Sequence, residues 1–325
     1  MVVTRRGYLL PRLEVRHTVP VTDNLDSATD SAETASPGLQ TELDAIIEKA
    51  RAEQTTLRIS YELATPAGVV AAHEPDADHY AASTMKLPLV LAAYRLRDQG
   101  SLDLDSTVKV HNSFTSRVGS TFGITREDDS DEEVWAAFGQ PVSLRWLCRR
   151  SIIRSSNLAT NLIFETVGTD AIDEAIAACQ AGGVRVVRAI EDYAAQSQGR
   201  GNLVSCHGLN TILLALAAGT AADPDTCEEV LGVLADNEVD TDIRPGLPDG
   251  IWVAHKNGWV SDAVLDAALI RPHGGDDPAD QFVLTAAVSG EWPSDRQHEV
   301  IRRLAYAVWQ RRPDWQSAPY SGSVD

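Results

Sequence analysis

Residues 82–94 read Ala82-Ser83-Thr84-Met85-Lys86-Leu87-Pro88-Leu89-Val90-Leu91-Ala92-Ala93-Tyr94, a hydroxyl and an amine at the mouth of an apolar helix. Ser83 and Lys86 are three residues apart, and on a helix this spacing places both side chains on one face. Because Pro88 has no N–H to donate, the pattern predicts a first helical turn or a turn just outside a helix.

This pairing has a chemical and a structural interpretation. A serine hydroxyl is a poor nucleophile until a base takes its proton, and a lysine can do so once burial or a nearby cation lowers its pKa. Taken alone, Ser83 and Lys86 are equally consistent with a helix-capping serine and a surface lysine.

Two later stretches favour the chemical interpretation. The sequence Arg154-Ser155-Ser156-Asn157-Leu158-Ala159-Thr160-Asn161-Leu162 stands between two helical patterns, and Ala254-His255-Lys256-Asn257-Gly258-Trp259 closes an apolar, strand-like run. In this order the three stretches resemble the Ser-x-x-Lys, Ser-Asp-Asn and Lys-Thr-Gly elements of class A β-lactamases and their penicillin-binding relatives. Ser156 stands where that family has Asp, and Asn257 where it has Thr or Ser.

The resemblance extends over most of residues 40–312 and implies a fold. We expect an α+β protein of the β-lactamase/transpeptidase type, with a five-stranded antiparallel sheet flanked by helices and an all-helical lobe. Residues 1–38 are predicted to be a disordered acidic tail. Residues 39–325 would form one domain, with an α/β lobe from 39–82 and 250–312 and a helical lobe from 83–249.

The resemblance also implies roles for individual residues. Ser83 would attack an acyl carbonyl, Lys86 would be the base, and Ser155 would relay the proton to the leaving group. The substrate would be bound by the Asn157 amide, by Lys256 on a carboxylate, and by the backbone at Gly258 and Trp259, where the N–H groups of Ser83 and Trp259 would form an oxyanion hole.

The sequence departs from the family at two further positions, one that would govern deacylation and one that would govern the width of the cleft. Class A enzymes resemble one another in a loop Glu within Glu-x-x-Leu-Asn that orients the hydrolytic water. Glu191 lies at a suitable distance after Ser155, but no Leu-Asn follows, so a structural loop carboxylate paired with Arg188 is the alternative. Trp259 replaces a small residue and either narrows the cleft or packs on the sheet.

Composition excludes several other function classes. The net charge of −19 over 325 residues disfavours binding to nucleic acid or anionic membranes. The histidines and cysteines show no metal-ligand spacing, so we expect no metal and no cofactor. Cys148, Cys179, Cys206 and Cys227 are interpreted as small buried residues, with pairing left open.

Targeting signals are weak. Arg5-Arg6 precede an apolar stretch that Pro11 interrupts, and no run approaches the ~20 residues of a membrane span. The expectation is a cytoplasmic protein as written, or a secreted or periplasmic one if the chain start is misassigned. We expect a monomer.

The remaining pattern supports strands at both ends around a helical middle. Residues 57–63 and 69–72 predict a hairpin, and residues 251–254, 263–270 and 282–288 predict three further strands. Helices are predicted from Leu39, over 142–153, 158–167, 170–181 and 225–235, after Ser205, and at the C-terminal end. Residues 102–139 are predicted to be largely irregular, with a solvated acidic run at 126–133.

The sequence therefore predicts a serine hydrolase of the β-lactamase type that forms an acyl-enzyme on Ser83, acting on a β-lactam or a related amide or ester. Two alternatives remain: a binding protein that has kept the fold without catalysis, and an acyltransferase or D-Ala-D-Ala-type peptidase.

Overall fold

The structure is a computed structural model, and it describes residues 37–273 and 280–316. The tail prediction falls almost wholly outside these residues. The helices are α1 Pro37–Glu53, α2 Lys86–Asp98, α3 Glu132–Ala136, α4 Leu144–Ile153, α5 Asn157–Ala178, α6 Tyr193–Ser197, α7 Cys206–Ala217, α8 Pro224–Ala235, α9 Ser294–Gln310 and α10 Arg312–Gln316. The strands are β1 Arg58–Thr65, β2 Gly68–His73, β3 His79–Tyr80, β4 Thr107–Lys109, β5 Phe114–Thr115, β6 Thr121–Phe122, β7 Pro141–Ser143, β8 Leu203–Val204, β9 Trp252–Val260, β10 Ala263–Arg271 and β11 Phe282–Ser289.

Five strands of the described chain form the main antiparallel sheet, in the order β2-β1-β11-β10-β9. The strand β1 comes from near the start of the chain and pairs with β11, so the two chain ends meet in one sheet. This confirms the α+β fold and the five-stranded antiparallel sheet that the sequence predicted.

The sheet separates two apolar cores. Alternate residues of β10 point to opposite faces, as the two-residue period of a strand requires. Leu265, Ala267 and Leu269 belong to the core shared with the helical lobe, whereas Val264, Ala268 and Ile270 belong to the core beneath α1 and α9. The edge strand β9 pairs with β10 so that Lys256 lies opposite Ala267, and this register directs Lys256 toward the helical lobe.

Most predicted boundaries are close to those observed, and the differences have physical reasons. The predicted strand at 251–254 is wrong in length, because β9 continues to Val260 through the buried polar residues His255, Lys256 and Asn257. Residues 102–139 contain five short elements, β4, β5, β6, α3 and a 3-10 helix at Arg126–Asp128, rather than irregular chain alone. The helix break predicted between 167 and 170 is confirmed at Gly168, whose φ of 73° leaves the helical region.

Candidate active site

The nucleophile candidate Ser83 lies in a short 3-10 helix, Ala82–Met85, that leads directly into α2. Lys86 is the first residue of α2 and Pro88 the third, so the proline occupies the first turn, where its missing N–H leaves no gap in the helical ladder. The preceding residue, Ala82, has a φ of 43°, a left-handed conformation that is uncommon outside glycine.

The Lys86 amine joins the first motif to the second. Its side chain is completely buried, and Nζ lies 2.6 Å from the Ser155 carbonyl oxygen, 3.1 Å from Ser155 Oγ and 2.9 Å from Asn157 Oδ1. As an ammonium, Nζ donates to all three oxygens; as a neutral amine, it donates to the two carbonyl-type oxygens and its lone pair accepts from the serine hydroxyl. Ser155 itself has a φ of 55°, so the junction between α4 and α5 is a strained turn.

Burial and a second lysine favour this neutral form. Removal from water lowers the pKa of Lys86 well below its usual value, and the charge of Lys256 lowers it further, while Asp129 opposes both. A neutral, hydrogen-bonded amine one helical turn from a serine has the properties of a general base.

Lys256 reaches the site from β9. It is completely buried, and Nζ donates to the Asn257 carbonyl oxygen at 2.9 Å. Burial lowers the pKa of Lys256 to about 8, with Asp266 and Asp242 limiting the shift. At neutral pH the amine is therefore mostly charged. Asn257, which departs from the family pattern, has its Oδ1 at 3.5 Å from Lys256 Nζ, and its Nδ2 donates to the Val239 carbonyl oxygen at 3.0 Å.

The third motif touches the first through Gly258. A Cβ placed on Gly258 would lie 2.4 Å from the backbone nitrogen of Ser83 and 2.9 Å from that of Thr84. Only a glycine lets β9 pass this close to the nucleophile's backbone. The structure thus places Gly258 against the Ser83 backbone, Lys86 against Ser155 and Asn157, and Lys256 close enough to lower the pKa of Lys86.

The carboxylate missing at Ser156 is supplied by Asp129. Its Oδ1 accepts a hydrogen bond from Asn157 N at 2.9 Å, and its Oδ2 accepts from Leu158 N at 3.0 Å and from Ser156 Oγ at 3.3 Å. The acidic run was predicted to be solvated, and for Asp129 and the buried Asp131 this is wrong. Asp129 precedes α5 by 28 residues, so no local pattern could have identified it.

Glu191 and its neighbour Ile190 have different surroundings. The Glu191 carboxylate accepts a hydrogen bond from Thr125 N at 3.0 Å, and burial raises its pKa. Ile190 is fixed by Asn161, which donates to the Ile190 carbonyl oxygen at 2.9 Å and accepts from its N–H at 2.8 Å. Ile190, rather than Glu191, lines the cavity beside Ser83.

That cavity has a volume of about 90 Å³ and is lined by Ser83, Asn157, Ile190, Arg188 and Trp259 among others. The Trp259 indole is 40% exposed, and its ring centroid is 6.4 Å from that of His298 on α9. Trp259 therefore forms part of the cleft wall and is not packed flat into the sheet. The pairing of Glu191 with Arg188, the alternative considered from the sequence, is absent among the ion pairs of the described residues.

Other sequence predictions concern the rest of the described chain. Within residues 37–273 and 280–316, no cluster of histidine, cysteine and carboxylate side chains could hold a metal ion. No described helix is both long and apolar enough to cross a bilayer. All four cysteines are buried and unpaired.

The fold and site define a protein of the serine β-lactamase and penicillin-binding class. A profile of the beta-lactamase enzyme family matches residues 38–312, and the chain belongs to that family. A search of curated proteins gave no match.

Solved structures of this class are similar in fold. A beta-lactamase from Xanthomonas campestris pv. campestris is 21% identical with a TM-score of 0.71, covering 84% of this chain and 98% of its own. A beta-lactamase from Sphaerobacter thermophilus is 23% identical with a TM-score of 0.68, covering 83% and 96%. PBP-A is 20% identical with a TM-score of 0.67, covering 86% and 99%.

Proposed function

We propose that this protein forms an acyl-enzyme on Ser83 with a β-lactam or a related amide or ester. The observation that carries the proposal is the buried Lys86 amine, hydrogen-bonded to Ser155 Oγ and Asn157 Oδ1 three residues after a serine whose backbone meets Gly258. Burying two lysines in one site destabilises the fold whenever an amine is charged, and a site without catalysis would gain nothing in return.

The reaction we propose begins with proton transfer. Lys86 takes the Ser83 hydroxyl proton as Oγ attacks the carbonyl carbon, and the N–H groups of Ser83 and Trp259 stabilise the oxyanion. The bond to the leaving nitrogen then breaks, and Ser155 passes the proton from Lys86 to that nitrogen. Lys256 attracts a substrate carboxylate, and the Asn157 amide, whose Nδ2 also donates to the Asp128 carbonyl oxygen, binds the acyl side.

The fate of the acyl group follows from Ile190. An isoleucine at the cavity wall has no proton acceptor for a water molecule, so we infer that the ester on Ser83 persists or passes to an acceptor other than water. One of the similar structures is a variant of PBP-A in an acyl-enzyme complex with penicillin G. A slow acylating enzyme, peptidase or transferase is therefore favoured over an efficient β-lactamase.

Intact-mass measurement after incubation with benzylpenicillin tests the proposal. We expect an adduct of one penicillin on the unaltered protein, long-lived after removal of free drug, and none on Ser83→Ala. Ser101→Ala removes an exposed hydroxyl and is the matched control. An adduct that survives in Ser83→Ala, or no adduct with β-lactams, thioesters and peptide amides alike, would contradict the proposed function.

A further inference from the structure

Arg188 is a buried cation that no carboxylate neutralises in the described part of the chain. Its side chain is 1% exposed, Nη1 donates to the Ala189 carbonyl oxygen at 3.0 Å, and Nη2 donates to Tyr80 Oη at 2.7 Å and to Gln196 Oε1 at 3.1 Å. Its Nε is buried and has no hydrogen-bond partner. Buried charges are ordinarily paired, so a guanidinium bonded only to neutral oxygens, with a donor left over, has unused capacity for an anion.

Neither of the nearby acidic side chains bonds Arg188, although Glu191 Oε1 is buried without a hydrogen-bond partner. Glu191 accepts from Thr125 N, and Asp192 accepts from Ser116 Oγ at 2.6 Å and Arg117 N at 3.0 Å. The side chain beside the arginine backbone is the neutral Asn202, whose Oδ1 accepts from Arg188 N at 3.1 Å. No carboxylate of the loop that carries Arg188 therefore forms an ion pair with its guanidinium.

The unpaired cation lies on the wall of the cavity that contains Ser83. Tyr80, which holds Nη2, and Asn202 line the same cavity. The cavity volume of about 90 Å³ is several times the ~10–15 Å³ that one water molecule needs on the same measure, so a carboxylate group fits. The contacts above use three of the five guanidinium N–H donors, so the Nε–H and one N–H of Nη1 are left for an anion.

We propose that Arg188 and Tyr80 form a subsite for a carboxylate on the acyl part of the substrate. This rests on the proposed function for its substrate class, and it adds a second anion site to the one assigned to Lys256. Because the molecule as a whole carries a net charge of −19, its surface repels anions in general. An internal arginine would select the one acyl donor whose carboxylate reaches it.

Two penicillins that differ by a single carboxylate provide the test. Carbenicillin is benzylpenicillin with an added carboxylate on the acyl side chain. In the Ser83→Ala background, where no ester can form, the dissociation constants are measured from the fluorescence change of Trp259 or by calorimetry. We expect carbenicillin to bind about tenfold or more tightly than benzylpenicillin, as for a charged hydrogen-bonded pair.

The Arg188→Met substitution should abolish this preference while leaving benzylpenicillin affinity nearly unchanged. Arg188→Lys keeps the positive charge without the planar guanidinium and should retain part of the preference for carbenicillin. It replaces Arg188→Met as the test variant if Arg188→Met does not fold. Arg185→Met removes an equal charge from an exposed position of the same loop and should leave the ratio intact. A merely structural Arg188 would change both affinities together.

The outcomes separate the subsite from the proposed function. Equal affinities for the two penicillins, a ratio insensitive to Arg188, or no measurable binding of carbenicillin would overturn the subsite. If the preference depends on Arg188 but neither penicillin acylates the protein with Ser83 present, the subsite stands and the acyl-enzyme proposal fails. If both penicillins acylate Ser83 but bind with equal affinity, the acyl-enzyme proposal stands and the subsite fails.

Discussion

At the scale of single residues, the site depends on backbone conformations that few side chains tolerate. Ala82 and Ser155 both have positive φ values, and they are the residue directly before the proposed nucleophile and the proposed proton relay. Such conformations are maintained only where surrounding contacts hold them, and they concentrate at functional sites. Here the Lys86 amine bonds the Ser155 carbonyl oxygen and fixes one of the two turns.

Gly258→Ala tests the close approach of β9 to Ser83. The new Cβ would lie 2.4 Å from a backbone nitrogen that cannot rotate away, so strand or nucleophile must move. We expect acylation by benzylpenicillin to slow by about a hundredfold or more, since a displacement near 1 Å has effects of that size. Stopped-flow or mass-resolved acylation rates measure this.

Gly232→Ala is the control for that substitution. Gly232 lies exposed in α8 with open space around its Cβ position, so the alanine should stabilise the protein by up to about 1 kcal/mol and leave acylation unchanged. Normal acylation by the Gly258→Ala variant would show that the strand need not approach Ser83 so closely.

Ile190→Glu tests the inference about deacylation. A carboxylate at this cavity wall can orient and deprotonate a water molecule, and general-base catalysis contributes about a hundredfold or more. We expect release of the penicilloyl group to accelerate by that factor, measured as recovery of the unmodified mass.

Glu191→Gln distinguishes the two adjacent loop residues. Because the Glu191 carboxylate is bonded to Thr125 N, we expect release to be unchanged in this variant. If Glu191→Gln instead stops release, the role that the sequence predicted for Glu191 is correct and the assignment of Ile190 to its place is not.

At the scale of elements, the start of α5 depends on a carboxylate from another segment. Asp129 accepts from the N–H groups of Asn157 and Leu158, and its negative charge faces the positive end of the helix dipole. The same segment is tied to α4 by the buried pair of Asp131 and Arg150, joined by two hydrogen bonds of 2.5 and 2.6 Å. A carboxylate 28 residues before α5 thereby caps the helix that begins at Asn157.

Asp129→Asn should weaken this junction. Losing the charge and one capping acceptor lowers the free energy of unfolding by about 1 to 2 kcal/mol. Acylation should also slow, because Ser155 and Asn157 lose their fixed positions. Urea unfolding and acylation rates are the measurements, and Asp128→Asn, an exposed neighbour, should change stability by less than about 0.5 kcal/mol. Equal effects of the two substitutions would contradict the capping role.

At the scale of the whole molecule, a buried ionic cluster supports the sheet behind the site. His255 is almost fully buried, with Nδ1 at 3.1 Å from Asp266 Oδ1 and Nε2 at 3.3 Å from Asp240 Oδ1. Burial alone would lower the pKa of His255, but the carboxylates of Asp266 and Asp240 outweigh it and raise the pKa to about 9. The imidazole is therefore charged in the folded protein at neutral pH.

This cluster predicts a pH dependence of stability. The folded-state pKa is about 9 and the ordinary value is 6.5, so the stabilisation by His255 is complete below 6.5 and is lost as pH rises through 9. The difference in unfolding free energy between the unaltered protein and His255→Gln should fall over this range by on the order of 2 kcal/mol.

Lys256 has the opposite effect on stability: because its pKa is lowered, the free energy of unfolding increases as the pH rises above about 8. Both proteins contain Lys256, so the difference between them at each pH reports on His255. A constant difference for His255→Gln would mean that the imidazole is neutral in the fold.

The sequence by itself determined the motif order, the helical turn that carries Ser83 and Lys86, the junction at Ser155 and Asn157, and the strand bearing Lys256 and Gly258. These follow from spacing and periodicity, which the chain expresses locally. Tertiary structure alone decided that Ile190 rather than Glu191 lines the cavity, that Asp129 caps α5, and that Arg188 has no acidic partner among the described residues. A one-residue difference in a loop changes which side chain faces the cleft, and contacts between segments tens of residues apart leave no local pattern.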